Sequence, residues 1–379
     1  MRVEPFPKFA PTEPERMLGD AMKQTQGNND PNALLPALNR ILAKYPDFGD
    51  GYVMRLGSLC SGRDHAAILS DVNNALKYIT SSENAKDTQA AMLSMKAKLE
   101  HDGGDDASAM RDLDSAVHAN LADGVRFTNS GATAPEKTAA ACTWTETDMD
   151  QLKQQFPTDY RAYLFAGLYY GFFSTWNDAS LKPAMNNLDK AAELNPNSVL
   201  PHFYKAHVTR QAVFLKSMNW SDAQREALNQ YLFGELTKAL TIDPNLLPAV
   251  SDRAEVYFSL KQFQQAIPDY DKAIALDPKD YGAFNDRGLA KMGLGNTYEA
   301  ISDFGDAIRL RPRELQQSDS YENRADAYLK TQQWALAIRD LTTAISLQTG
   351  GVSLLMNIDQ FRALYPEYKP ASDEASRTS

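Results

Sequence analysis

Three phrases near the end of this chain recur at a constant interval, and that interval limits what the chain can fold into more than any other feature. Asp243-Pro244, Asp277-Pro278 and Arg311-Pro312 follow Ala239-Leu240, Ala273-Ile274 and Ala307-Ile308, with spacings of 278 − 244 = 34 and 312 − 278 = 34 residues. Aligned on these prolines, Ala266-Ile267-Pro268-Asp269-Tyr270 stands over Ala300-Ile301-Ser302-Asp303-Phe304. A third copy, Ala337-Ile338-Arg339-Asp340-Leu341, follows a short insertion around Gln316 to Ser320. Ahead of them lie Asp252-Arg253-Ala254, Asp286-Arg287-Gly288 and Asn323-Arg324-Ala325. A fixed period of this kind marks a chain that stacks units side by side instead of wrapping around one centre.

Within each copy, apolar and small residues recur three, four and seven apart, which is helical spacing, and polar stretches such as Lys261-Gln262 or Gly293 to Asn296 divide two helices. The closing proline cannot continue a helix. Small residues stand where helix axes approach: Ala254, Gly288 and Ala325 in the first helix, Ala266, Ala300 and Ala337 in the second. Tyr270, Phe304 and Leu341 are expected to plug the gaps between units.

These features resemble the tetratricopeptide repeat family. Its aromatic near the first-helix start stands here as Phe284 and Tyr321, with Val250 in the first copy. The resemblance implies an all-α fold, a right-handed α-solenoid of stacked antiparallel helix pairs, with three well-formed units over 247–349. Upstream, Leu93 to Asn120, Tyr163 to Pro196 and Leu200 to Pro244 are looser matches, and Glu15 to Pro46 and Gly49 to Thr80 are weak ones. The expected organisation is a flexible start (1–12), an N-terminal block (13–120), an interrupted unit (121–157) and a central block with insertions (158–246). The well-formed units, a C-terminal capping helix (350–368) and a flexible tail (369–379) follow. Val352 to Tyr365 supplies the amphipathic cap, and Thr145 to Asp148 reads as a capping box.

Composition narrows the chemistry. Lys plus Arg number 39 against 49 Asp plus Glu, a formal net charge of −10, which argues against nucleic acid as the partner. No apolar run reaches the roughly 20 residues that cross a bilayer, so no membrane insertion is expected. Met1 to Lys8 lacks a leader pattern; the default expectation is cytoplasmic, or periplasmic or secreted if a leader was removed. Cys60 and Cys142 are the only thiols and allow at most one bridge.

No phosphate loop, nucleophile elbow or zinc motif is present, so no enzyme activity, metal or cofactor is expected. Arg253, Arg287 and Arg324 recur with Asp269, Asp303 and Asp340; a residue that recurs in every unit answers a structural demand of every unit, most simply an ion pair across each stacked interface. His101 to Asp106 clusters oxygen ligands without calcium-loop spacing and reads as a turn leading into a helix.

The family's inner, concave face implies a binding groove on the first helices. Projected onto this chain, it comprises Ser251, Asp252 and Glu255; Asn285, Asp286 and Leu289; and Glu322, Asn323 and Asp326. The Lys and Arg of the family's terminal-carboxylate clamp are missing here. Acidic and amide side chains instead favour a basic or amide-rich segment, with Asn285 and Asn323 bonding its backbone. In the central block, Leu164, Phe165, Leu168 and Phe172, with Phe203, Tyr204 and His207, suggest an aromatic anchor pocket. The expected function is a non-enzymatic scaffold or adaptor for a protein or peptide partner. The rival is a structural subunit that organises an assembly by self-association or by docking through its convex face.

Overall fold

In a computed structural model of the chain, residues 12–26, 30, 32–62, 64–79, 85–121, 142–173, 178–214, 221–311 and 318–349 are described. They form seventeen helices and no strand. The proposed capping helix, both terminal segments, Pro312, Trp176 and most of 121–142 lie outside the described residues.

The chain divides into two compact units, Met1–Lys216 and Ser217–Ser379. The division falls within 158–246, which the sequence reads as one block, whereas the interrupted stretch 121–157 stays inside the first unit. The first unit holds α1 (Glu13–Thr25), α2 (Leu35–Lys44), α3 (Gly49–Gly62), α4 (His65–Tyr78), α5 (Ala85–Asp102) and α6 (Asp106–Ala119). It continues with α7 (Glu146–Gln155), α8 (Tyr160–Phe173), α9 (Asp178–Leu194) and α10 (Val199–Phe214). The second holds α11 (Asp222–Ile242), α12 (Leu247–Ser259), α13 (Phe263–Leu276), α14 (Tyr281–Gly293), α15 (Thr297–Leu310), α16 (Asp319–Lys330) and α17 (Trp334–Thr349). Consecutive helices pack as pairs: α3 with α4, α5 with α6, α8 with α9, α12 with α13, α14 with α15 and α16 with α17.

Local chemistry sets the ends of these helices. Asp64, Asp105 and Asp280 cap α4, α6 and α14 by accepting from Ala67 N (3.0 Å), Ser108 N (3.1 Å) and Ala283 N (3.0 Å). Asp243 and Asp277 close α11 and α13, and the proline after each stops the helix. The turns inside four of these pairs, α5–α6, α12–α13, α14–α15 and α16–α17, each use one left-handed residue: Gly104 (φ 82°), Lys261 (57°), Gly295 (83°) and Gln332 (59°).

Packing follows the small-residue columns. Ala254, Ala266, Ala300, Ala325 and Ala337 are fully buried. A Cβ on Gly288 would stand 2.7 Å from Phe304 Cε1, so only glycine lets α14 and α15 close there. Tyr270 packs with Ala254, Ala266 and Ala290, and Phe304 with Ala300 and Ala327, so each plugs a unit against its successor. Full burial of such an aromatic contributes about 1.5–3 kcal/mol. Leu341, the third expected plug, is half-buried.

Candidate functional site

A salt bridge of constant length serves as a ruler along the first helices. Arg253, Arg287 and Arg324 each grip an aspartate sixteen residues on: Asp269 (2.7 Å), Asp303 (2.7 Å) and Asp340 (2.6 Å). The first unit repeats it as Arg55 with Asp71 and Lys96 with Asp112, both at 2.6 Å. The expectation that these pairs cross the stacked interfaces is corrected here, because sixteen residues span half of one helix, a turn and half of the next, so each of these bridges closes a single unit. Arg287 additionally reaches back to Asp271 of the preceding unit at 2.7 Å.

Measured from this ruler, the expected groove residues share columns two before, one before and two after each arginine. Glu255, Glu322 and Asp326 are exposed; Ser251, Asn285, Asp286, Leu289 and Asn323 are half-buried; Asp252 is buried. Leu289 rests against the cluster of Ala300, Phe304 and Ala327, so part of its surface belongs to the core. Asn285 Oδ1 accepts from Ser320 Oγ (3.1 Å) and Asn323 Nδ2 (3.0 Å), and its Nδ2 donates to Asp286 (3.2 Å). The Asn285 carbonyl thus already serves the neighbouring unit, and the backbone bond expected of Asn285 falls to its amide group. Burial pushes the Asp286 carboxyl above the usual range, against the hydrogen bond from Asn285, and the carboxylates of Asp280 and Asp319 push the same way as burial.

The open aromatic pocket expected in the central block is corrected too. Leu164, Phe165, Leu168, Phe203 and Tyr204 are fully buried and His207 is 4% exposed. Phe203 stacks within 5.0 Å of Tyr204 and 5.6 Å of His207. Glycines permit this closure: a Cβ on Gly167 would meet Leu188 Cγ at 2.7 Å, and one on Gly171 would meet Val208 Cγ2 at 2.6 Å. Helix α7 also packs against α8. The side chain of Phe172 lies outside the described residues.

What the sequence reading missed is a cluster around His101. Cys60 of α3 and Cys142 form a disulfide, with Cα atoms 5.7 Å apart across 82 residues of sequence. Two residues on, Trp144 is 2% exposed, donates to the Ser94 carbonyl at 3.1 Å and stacks on His101 with centroids 5.5 Å apart. Lys98 Nζ lies 5.9 Å from the indole centre, 3.4 Å from Asp148 Oδ2, and pairs with Asp102. His101 bonds Asp106 through Nδ1 and faces Gln151 (3.1 Å) and Asp148 (3.5 Å) through Nε2. The Asp148 hydrogen bond, outweighing burial and aided by Asp106, raises the His101 pKa. Burial alone would raise Asp148, but His101, Lys98 and Thr145 outweigh it and hold its carboxyl at about 2. Among the described residues, no group of three or more His, Cys, Asp or Glu side chains is arranged to hold a metal. The legible signal was positional: Ser94 and Lys98 stand two before and two after Lys96, in columns already assigned to the groove, and His101 stands on the same helix five after it, in a further column.

Stacked antiparallel pairs closed by a recurring ion pair define a helical-repeat protein. Residues 251–280 match the model of the tetratricopeptide repeat. No curated protein matches the chain. Among solved structures it is similar to YrrB, "a TPR protein with an unusual peptide-binding site", at 21% identity over 53% of this chain and 92% of that one, TM-score 0.43. It is also similar to MamA from Desulfovibrio magneticus RS-1 at 20% identity over 46% and 89%, TM-score 0.39. A further MamA structure is similar at 19% identity over 59% and 92%, TM-score 0.36. Among the described residues, no helix is long and apolar enough to cross a membrane.

Proposed function

We propose that this chain is a non-catalytic adaptor whose second unit holds a basic or amide-rich polypeptide segment along α12, α14 and α16. The observation that carries this reading is Asp286. Its half-buried carboxylate accepts a hydrogen bond from Asn285 and forms no ion pair among the described residues, while burial first, and then the carboxylates of Asp280 and Asp319, raise its pKa. A cation arriving on a partner would relieve that repulsion. Glu255, Glu322 and Asp326 extend the same sign along neighbouring columns, and Asn323 adds amide hydrogen bonding.

The test is fluorescence anisotropy of a labelled lysine- and asparagine-containing peptide against the full chain, across a salt series. Binding near micromolar, about −8 kcal/mol, is expected, weakening with salt and falling at least tenfold in Asp286→Asn. Binding that ignores both salt and Asp286→Asn overturns the reading. Reversible self-association in sedimentation velocity, without peptide binding, would transfer the role to assembly.

A further inference from the structure

The cluster around His101 occupies the same columns in the first unit that the acidic residues occupy in the second. Counting from the ruler, Ser94 aligns with Ser251, Asn285 and Glu322, and Lys98 aligns with Glu255, Leu289 and Asp326. Cys60 and His101 fall in one further column, with Phe258, Met292 and Leu329. In the second unit Glu255 and Asp326 are exposed in this face. In the first, Ser94, Lys98, His101 and Cys60 are 2%, 4%, 8% and 3% exposed. Against them lies the stretch from Cys142 through α7, which follows the α5–α6 pair in sequence and, among the described helices, packs chiefly on α8.

That stretch has the anatomy of a bound peptide. Residues 142–145 are non-helical, and a Thr145–Asp148 capping box then starts one short helix. Its contacts are those a groove makes with a ligand. An indole stacks on an imidazole and lies 5.9 Å from an ammonium, with its N–H on a backbone carbonyl, and a carboxylate four residues later faces the same two side chains. The pairing differs from that of the second unit: here Lys98 and His101, each already bonded to an aspartate of its own unit (Asp102 and Asp106), also face Asp148 of the occupant.

We propose that the first-helix face of the N-terminal unit is a second peptide-binding site, for an acidic segment carrying an aromatic side chain, and that the chain's own residues 142–151 occupy it in cis. The Cys60–Cys142 bond tethers the occupant, so a competing segment from a partner meets a filled site. Ser94, Lys98 and His101 form the recognition surface; Trp144 and Asp148 are the side chains an incoming segment must reproduce. This inference does not depend on the acidic groove of the second unit.

The test uses the full chain and one probe, a fluorescein-labelled peptide of residues 142–153 carrying Cys142→Ser. In a released variant (Cys60→Ser, Cys142→Ser, Trp144→Ala, Asp148→Ala) the groove is emptied without touching its lining beyond Cys60. Saturable binding at least tenfold tighter than to the wild type is expected. Lys98→Glu added to the released variant should abolish it, and so should Trp144→Ala in the peptide. Hydrogen exchange on the Cys60→Ser, Cys142→Ser variant gives an independent reading: amides of 142–151 should exchange at least tenfold faster than those of α5 and α6. The proposal is overturned if the folded released variant does not bind, if wild type binds equally, or if binding ignores Lys98→Glu. It is also overturned if α5 and α6 lose protection together with 142–151, since the segment would then be part of the core.

Discussion

Arg287 provides a comparison in which one guanidinium meets two aspartates at the same distance in different surroundings. Its Nη2 lies 2.7 Å from Asp303 and its Nη1 2.7 Å from Asp271, but the Asp303 side chain is 4% exposed and that of Asp271 is 55% exposed. Lys291 Nζ adds a third contact to Asp303 at 2.9 Å. Asp303 also accepts from Arg287 Nε at 3.0 Å, so burial and bidentate geometry together separate the two energies. An exposed pair is screened and worth well under about 1 kcal/mol, so Asp271→Ala should cost about 0.5 kcal/mol. Asp303→Ala removes the buried acceptor of two partly buried cations, leaving Arg287 the exposed Asp271 and Lys291 the more distant Glu299 (3.8 Å), and removing one member of a buried network costs about 3–5 kcal/mol. The side chains of Arg287 and Lys291 keep 16% and 15% exposure, which places the expectation at the lower end, about 3 kcal/mol. For a unit of this size that amounts to about 9 °C in Tm. Far-UV circular dichroism would give the melting shift, and hydrogen exchange of α14 and α15 amides would localise it to the α14–α15–α16 stack. A triple variant, Arg287→Met, Lys291→Met, Asp303→Leu, should recover most of the loss, because it removes the charges together. Losses for Asp303→Ala and Asp271→Ala within 1 kcal/mol of each other would refute the argument that the buried, multiply bonded bridge is worth more than the exposed one at the same distance.

Two other perturbations test separate parts of the structure. Gly288→Ala places a methyl 2.7 Å from Phe304 Cε1 and 2.9 Å from Cδ1, so a loss of about 1–3 kcal/mol is expected; chemical denaturation should show Phe304→Leu restoring part of it. The His101 cluster should impose a pH window on the docking of 142–151. His101, whose pKa is raised on folding, contributes fully below its unfolded value near 6.5 and loses the contribution as pH rises through the folded value. Asp148, lowered to about 2, contributes above its ordinary value of 3.8 and loses the contribution as pH falls toward 2. Docking is therefore tightest between about pH 4 and 6. Trp144 fluorescence against pH should lose its neutral-side transition in His101→Gln and keep its acid-side one.

The sequence by itself determined the unit. Helix period, capping aspartates, closing prolines and the alanine columns are all local, acting within one helix pair, and a demand that recurs every 34 residues leaves a trace that recurs too. It also placed Asp252, Glu255, Asp286 and their neighbours in shared columns, since the helical repeat carries the same face from one unit to the next.

Only the tertiary structure decided which of those columns are open. Phe165, Phe203 and Tyr204 stand in groove columns but are fully buried, because whether a column meets water depends on what another part of the chain lays over it. Trp144 and Asp148 occur once and have no counterpart to align. Cys142 reaches Cys60 across 82 residues, and a contact of that span follows no period. Nor could spacing reveal that Asn285 spends its carbonyl on Ser320 and Asn323. A side chain's column is set by its own helix, whereas its free hydrogen-bonding capacity is set by the neighbours that stacking brings against it.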